Sequence, residues 1–197
     1  ERDYLKKTRW LGEQIRRLNP DIAAFEEVWD AAALAAAVKS SRLRYPEIHV
    51  PGAEHGAVGT PRVGLVTRLA VESVDTLVDF PSDMAVEVPE LGPALRFERP
   101  VLHARLRVPK GPVVHVVVVH LKSKRPKYLM DADGSPREDR DDPRIQARAT
   151  LRSLIIRGAE AAALRAHVVD LLHRTRDPLI LMGDLNDGPM AVTTQII

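Results

Sequence analysis

Three short apolar segments of the sequence each end in side chains that could take part in catalysis. Glu27 follows the first segment, His120 ends the second, and Asp184 and Asn186 follow the third. Strand ends in α/β proteins direct side chains into a crevice, and residues two apart on an extended segment point the same way. A carboxylate, an imidazole and an Asp-x-Asn pair would suit a phosphate ester and a hard cation such as Mg²⁺, which needs only one or two protein carboxylates. The alternative for each carboxylate is a capping role at the end of a buried strand.

Three helices are predicted from the pattern of apolar residues. An apolar stripe from Leu11 to Leu18 predicts an amphipathic helix over residues 2–18. A second helix is predicted over residues 30–39, with Asp30 as its N-cap, and a third over residues 145–174. The leucine-rich side of the third helix is predicted to comprise Leu151, Leu154, Ile155, Leu164, Val168, Leu171 and Leu172.

The strands are predicted from β-branched and apolar runs that are bounded by Pro and Gly clusters. They cover residues 22–25, 63–67, 70–78, 101–108, 113–119 and 178–182. The run over residues 113–119 is predicted to form the second strand of a hairpin and to be buried on both faces. His115 lies alone within it, so we predict a structural role for this histidine. Helices that alternate with clusters of strands predict a mixed α/β fold around a predominantly antiparallel core.

Composition excludes several classes of protein. The chain of 197 residues is 45% apolar and 28% charged, which is typical of one globular domain with a core of its own. It has no cysteine, which excludes disulfides, thiolate catalysis and cysteine-bound metals. No apolar run approaches the roughly 20 residues that span a bilayer, so no membrane span is predicted. The net charge of +2 is too small to indicate a polyanionic partner.

A long charged segment follows His120 and extends to Pro143. A segment of this length within a compact domain is usually functional, and we predict few buried contacts for residues 124–143. Its first residues form a basic cluster that could close over substrate phosphates or simply be solvated. That cluster consists of Lys122, Lys124, Arg125 and Lys127. The acidic residues that follow it and the low aromatic content of 4% favour a small phosphate ester over a nucleic-acid duplex.

Four segments of the chain resemble, in order, the motifs of the endonuclease/exonuclease/phosphatase superfamily. This superfamily comprises the deoxyribonuclease-like, metal-dependent phosphoesterases. The matching segments are residues 19–28, 63–68, 119–123 and 181–189, the last of which reads Leu-Met-Gly-Asp-Leu-Asn-Asp-Gly-Pro. The resemblance implies a two-sheet α/β/β/α sandwich that forms a single domain over residues 1–197. It also implies a magnesium-dependent hydrolase of phosphate esters, either a phosphodiesterase or nuclease-like.

The resemblance also implies a role for each matching side chain. Glu27 would bind the metal, Mg²⁺ or alternatively Mn²⁺, while the preceding Glu26 stands where the family more often has glutamine. His120 would contact the scissile phosphate and could protonate the leaving oxygen. Asp184 would orient the attacking water, and Asn186 would bind a phosphate oxygen. The residues implied to bind substrate, a phosphate ester with nucleic acid as one candidate, are Lys122 and Arg68.

The chain departs from the family pattern at both ends. The family begins with a strand that carries a metal-site asparagine, and no such strand precedes the first predicted helix. It ends with an Asp-His pair that supplies the general base, and no histidine follows Asn186. Loss of a general base typically lowers the rate by about 10²- to 10⁴-fold. We therefore expect the sequence to be incomplete at both ends, and the alternative is a non-catalytic binding or scaffold module that keeps the fold.

Overall fold

The computed structural model describes residues 2–52 and 60–197, which form two compact units. The first unit contains Glu1–Val78, Glu98–His120 and Arg176–Asp184, and the second contains Asp79–Phe97, Leu121–Thr175 and Leu185–Ile197. In chain order the elements are α1 (Arg2–Leu18), β1 (Ile22–Val28), α2 (Ala31–Ser40), β2 (Glu47–His49), β3 (Arg62–Thr67), β4 (Ala70–Asp79), β5 (Val86–Val88), β6 (Gly92–Ala94), β7 (Arg96–Arg107), β8 (Val113–His120), α3 (Pro143–Arg174), β9 (Leu179–Asp184) and α4 (Val192–Ile196). None of the helices in the described ranges is both long and apolar enough to cross a membrane.

The two predicted helices of the first unit are confirmed. Helix α1 has the predicted bounds, because its apolar stripe continues up to Leu18 and the Asn19-Pro20 pair follows. Helix α2 begins after Asp30, whose side chain accepts a hydrogen bond from the backbone N–H of Ala32 at 2.9 Å. This bond satisfies one of the free N–H groups of the first turn, which is the expected function of an N-cap.

Two sheets form a sandwich in the first unit. One is antiparallel with the strand order β1-β3-β2, and the other has the order β4-β7-β8-β9. The interior between them is filled by buried side chains from β3, β7 and β8, among them Leu65, Leu102 and Val116. On the other face of the three-stranded sheet, Ile15 of α1 and Leu34 of α2 pack in a second cluster. The mixed α/β fold with a two-sheet sandwich is thus confirmed.

The second unit is built on α3, and the leucine-rich side of this helix is only partly buried. Leu151, Leu154 and Leu172, which belong to the leucine-rich side, are all nearly half exposed. The largest fully buried side chain among the described residues is that of Arg152, with 0% exposure, which binds Glu90 at 2.7 Å and Glu138 at 2.8 Å. A buried guanidinium requires such partners, since an unpaired charge is strongly disfavoured in the interior.

The charged segment after β8 has no buried residue between 124 and 143, in agreement with the prediction of few buried contacts, but polar contacts attach it to α3. The backbone N–H of Lys127 donates to the carbonyl oxygen of Ala149 at 2.9 Å. The hydroxyl of Ser153 donates to the carbonyl oxygen of Arg125 at 2.6 Å, and Glu138 accepts from the backbone N–H of Leu129 at 2.7 Å. These contacts are polar, which is why the lack of apolar residues in the segment did not indicate them.

The structural role predicted for His115 is supported by its contacts in the first unit. His103 Nε2 and His115 Nδ1 lie 2.8 Å apart, both rings are buried, and His115 Nε2 lies 3.7 Å from an oxygen of Asp177. One ring nitrogen of this pair must donate and the other must accept. Each histidine therefore provides a hydrogen-bond partner for a buried ring nitrogen of the other, which the surrounding valine side chains could not do.

Replacing His103 with Leu should lower the free energy of unfolding by about 1–3 kcal/mol, because Nδ1 of His115 loses its partner inside the sandwich. Replacing both histidines with Leu should cost less than the sum of the two single changes, since no orphaned nitrogen remains. Urea denaturation of the two single variants and the double variant measures this coupling. Additive losses would show that the two rings do not depend on each other.

Candidate active site

A bulge at the end of β1 positions Glu27. The register pairs Phe25 with Gly64 and Val28 with Arg62, so β1 has one more residue than β3 between these pairs. Glu27 lies within this bulge with a φ of 57°, in the left-handed region, and is exposed. Bulges redirect side chains, and a non-glycine residue with such a φ is often found at functional sites. The local structure therefore presents the Glu27 carboxylate to solvent at the strand end.

His120 and Asp184 are brought together by the parallel pairing of β8 with β9. They are register partners at the ends of these strands, and His120 Nε2 lies 3.9 Å from Asp184 Oδ2. The pairing depends on Gly183, whose φ is 132° and where a Cβ atom would lie 1.9 Å from the carbonyl oxygen of Val119. Only glycine fits this close approach of the two backbones. The glycine of the Gly-Asp-x-Asn motif thus sets the position of the aspartate that follows it.

The charges of these strand ends act on one another. Burial raises the pKa of the Glu26 carboxyl, and the nearby charge of Asp184 raises it further. Burial also lowers the pKa of His120, as does the charge of Arg99, whereas Asp184 and Glu27 oppose this shift. Acidic groups from β1 and β9 therefore share one electrostatic environment with the imidazole at the end of β8.

Arg99 is a site residue that sequence reasoning missed. Its Nη1 donates to the carbonyl oxygen of His120 at 3.3 Å, which places a permanent positive charge at the end of β8. Arg99 precedes Pro100 within β7 and belongs to none of the four matching segments, so no spacing indicated it. Only the pairing of β7 with β8 brings the guanidinium to His120.

The other predicted site residues have different surroundings. Asn186 belongs to the second unit, has a φ of 54°, and its Nδ2 donates to the carbonyl oxygen of Leu121 at 2.8 Å. Lys122 is buried in that unit, and its Nζ donates to the carbonyl oxygens of Ser123 at 3.1 Å and Arg125 at 3.0 Å. The roles of these two residues remain predictions.

Arg68 lies in the first unit beside the connection between α1 and β1. Its guanidinium donates to the Asn19 side chain, lies 3.6 Å from an oxygen of Asp21 and stacks 4.7 Å from the ring centre of Tyr45. These contacts hold the Arg68 side chain in place, and its predicted role in substrate binding remains a prediction.

The carboxylates at these strand ends fit a hard divalent cation. Within residues 2–52 and 60–197, no three His, Asp or Glu side chains form a ready-made metal cluster. Mg²⁺ does not require one, because it retains several waters and takes one or two carboxylates from the protein. The repulsion between Glu26 and Asp184 shows an excess of negative charge, which a cation would relieve. Glu27 and Asp184 are both exposed, and their oxygen donors suit Mg²⁺ or Mn²⁺.

The lowered pKa of His120 predicts how the stability of the metal-free protein depends on pH. The unfolded chain protonates this ring near its ordinary pKa of about 6.5, whereas the folded protein protonates it only at lower pH. The free energy of unfolding should therefore fall as the pH drops below about 6.5 and through the folded pKa. Replacing His120 with Asn should reduce this fall, as measured by urea denaturation at several pH values. An unchanged pH dependence would show that other groups cause it.

The sandwich and the acidic and imidazole side chains at its strand ends define a phosphoesterase-like fold. The chain belongs to the Endonuclease/Exonuclease/phosphatase family, whose model matches residues 6–196. The resemblance seen in the four sequence motifs is thereby confirmed. A search of curated proteins found no match to the sequence.

Solved structures of low sequence identity share the fold. ANGEL2, a 2′,3′-cyclic phosphatase, has a TM-score of 0.60 and 16% identity, and the match covers 95% of this chain and 45% of that one. The human Nocturnin catalytic domain with bound sulfate has a TM-score of 0.60 and 16% identity, with coverages of 96% and 60%. A variant of beta toxin from Staphylococcus aureus with bound magnesium ions has a TM-score of 0.59 and 16% identity, with coverages of 98% and 61%. The chain thus spans about half to three fifths of the length of these proteins.

Proposed function

We propose that this protein hydrolyses phosphate esters with the help of a divalent cation, Mg²⁺ or Mn²⁺. The observation that carries the proposal is the shared electrostatic environment of Glu27, His120 and Asp184 in the first unit. Their residue types match the metal ligand, phosphate-binding histidine and water-orienting aspartate that the family motifs imply. The cation, when bound, would neutralise charge on the phosphate and stabilise the leaving oxygen.

Glu27 would hold the cation, because its carboxylate is exposed within the β1 bulge. Asp184 would accept a hydrogen bond from the attacking water and so orient it. Its carboxylate is also the acidic neighbour nearest to His120 Nε2, at 3.9 Å. Asn186, two residues further along the chain, would donate its amide N–H to a phosphate oxygen.

His120 would bind the phosphate as a neutral imidazole in the resting protein, because burial and Arg99 lower its pKa. A phosphate group that binds beside the ring would raise this pKa again, since a nearby negative charge favours the imidazolium form. The ring could then pass its proton to the leaving oxygen. Arg99 would add positive charge at the same strand end.

We further propose that the substrate is a small phosphate ester rather than a nucleic-acid duplex. Two members of the basic cluster already have protein partners, since Lys122 binds backbone carbonyls and Lys124 Nζ lies 2.9 Å from an oxygen of Asp187. The exposed acidic residues of the same segment would repel a duplex backbone. These residues are Asp131, Asp133, Asp139 and Asp141.

The proposal is tested by assaying the intact protein against aryl phosphate monoesters, aryl phosphate diesters, a 2′,3′-cyclic nucleotide and duplex DNA. Each assay is run with Mg²⁺, with Mn²⁺ and with EDTA. We expect turnover of at least one small ester with Mg²⁺ or Mn²⁺, and its loss in EDTA. No turnover of any ester would favour the alternative, a non-catalytic binding or scaffold module. Hydrolysis of DNA alone would contradict the proposed substrate class.

A further inference from the structure

Two charged side chains of α3 are buried in the second unit and bind the backbone that follows His120. Arg157 is 5% exposed and Glu160 is 1% exposed, and they are separated by one helical turn. The Glu160 Oε2 atom accepts from the backbone N–H of Lys122 at 2.5 Å. The Arg157 Nη1 atom donates to the carbonyl oxygen of Lys122 at 3.4 Å. Both the backbone N–H and the backbone C=O of Lys122, two residues after His120, are therefore hydrogen-bonded to side chains of α3.

Arg157 also binds the segment that contains Asn186. Its Nε donates to Asp187 Oδ2 at 3.3 Å; the Arg157 side chain is buried and that of Asp187 is 11% exposed. Asp187 additionally accepts from the hydroxyl of Thr193 at 2.5 Å and from the backbone N–H of Gly188 at 3.1 Å. A single guanidinium thus joins the loop that follows β8 to the loop that follows β9.

The position of Asn186 depends on the same two loops. Its Nδ2 donates to the carbonyl oxygen of Leu121, the residue before Lys122, and its own peptide continues into Asp187. Asn186 adopts a φ of 54°, in the left-handed region that asparagine tolerates better than most residues. The bond to Leu121 holds the Asn186 side chain, and the bond from Arg157 to Asp187 holds the residue that follows it.

We propose that Arg157, Glu160 and Asp187 are positioning residues that hold Asn186 for phosphate binding. We call this group the α3 clamp; it comprises Arg157 and Glu160 of α3 and their neighbour Asp187 from the loop after β9. The inference rests on the proposed function, in which Asn186 binds a phosphate oxygen. The clamp acts through Asn186 and does not contact substrate.

The test compares two chemically matched changes in the intact protein. Asp187→Asn weakens the bonds to buried Arg157 and to Lys124, and Glu138→Gln makes the same carboxylate-to-amide change beside buried Arg152. Asp187→Asn should lower kcat about 10- to 100-fold on the best small ester with Mg²⁺, because a small displacement of a substrate-binding group has effects of this size. Glu138→Gln should retain kcat under conditions where both variants are folded.

A double substitution separates positioning from a general effect on folding. In a protein that already carries Asn186→Ala, Asp187→Asn should lower kcat by less than about threefold, since the group that it positions is absent. Equal losses in the two backgrounds would overturn the proposal. A loss of kcat in Glu138→Gln as large as that in Asp187→Asn would also overturn it.

A second measurement does not depend on activity. In the nuclear magnetic resonance spectrum of the ¹⁵N-labelled protein, the side-chain amide of Asn186 should shift in Asp187→Asn, and its protons should exchange with solvent at least about tenfold faster. The same signals should be unchanged in Glu138→Gln. Unchanged Asn186 signals in Asp187→Asn would overturn the clamp. If the wild-type protein hydrolyses no ester, the proposed function fails, while the Asn186 signals still decide whether the clamp holds this side chain.

Discussion

Replacing Glu27 with Gln should abolish most metal-dependent turnover while leaving the metal-free melting temperature unchanged or higher. Glutamine keeps the size of the side chain but removes the charge that a divalent cation requires. We expect turnover to fall by about 100-fold or more, because a catalytic cation supplies several kcal/mol of transition-state stabilisation. Stability should not fall, because Glu27 is exposed in the bulge and the amide that replaces its carboxylate stays in water.

The neighbouring residue provides a matched control for this prediction. Glu26→Gln makes the same chemical change one position earlier, where the family more often has glutamine. Burial and the charge of Asp184 raise the pKa of Glu26, so removing its charge should stabilise the metal-free protein and leave turnover largely intact. Activity and metal-free melting should be measured on the same preparations. If Glu27 only capped the strand, Glu27→Gln would leave turnover intact and lower stability by about 0.5–2 kcal/mol.

Replacing His120 with Gln should lower kcat by about 10²- to 10⁴-fold, the range typical for loss of a general acid or base. Glutamine can still donate a hydrogen bond from near the position of Nε2, but it cannot transfer a proton. Stability at pH 8 should be maintained or rise, because His120 Nδ1 is buried with no hydrogen-bond partner among the described residues. The pH dependence of kcat should also lose the contribution of this histidine.

His115→Gln is the control for His120→Gln, because both histidines are buried in β8 and only His120 lies at the strand end. His115→Gln should weaken the bond to His103 and lower stability, and it should leave kcat nearly unchanged in the folded protein. Chemical denaturation and steady-state kinetics on both variants make the comparison. A His120→Gln variant that keeps kcat within about threefold of wild type would show that this ring transfers no proton.

The local sequence was sufficient to predict those helices and strands that are defined by apolar periodicity, caps or breaking residues within a few positions. Helix α1 has its predicted bounds because its apolar period and the following Asn19-Pro20 both act locally. The N-cap at Asp30 was predicted from residue type, and the cap bond confirms it. Strand β8 was predicted to be wholly buried because it contains almost no polar residue, and every position in it is buried.

The candidate site was predicted from motifs rather than from geometry. The order of the four matching segments identified Glu27, His120 and Asp184, and their residue types suggested a cation and a phosphate. The motifs carried no information about the bulge that presents Glu27, because a bulge is defined only by pairing with a second strand. They also did not indicate Arg99, which reaches His120 through the pairing of β7 with β8.

The sequence by itself determined the mixed α/β class, the positions of the three longest helices and of six strands, and the identity of the strand-end side chains; it did not indicate β2, β5, β6 or α4. These properties depend on apolar periodicity, helix caps and motifs, each of which lies within a short stretch of the chain. Tertiary structure decided which face of α3 is buried, since Arg152 and Arg157 can be buried only where distant carboxylates pair with them. It likewise decided that Gly183 is required beside Asp184, because the close contact is with the backbone of Val119, more than sixty residues earlier in the chain. Partners so far apart in sequence leave no local pattern, and only the folded chain brings them together.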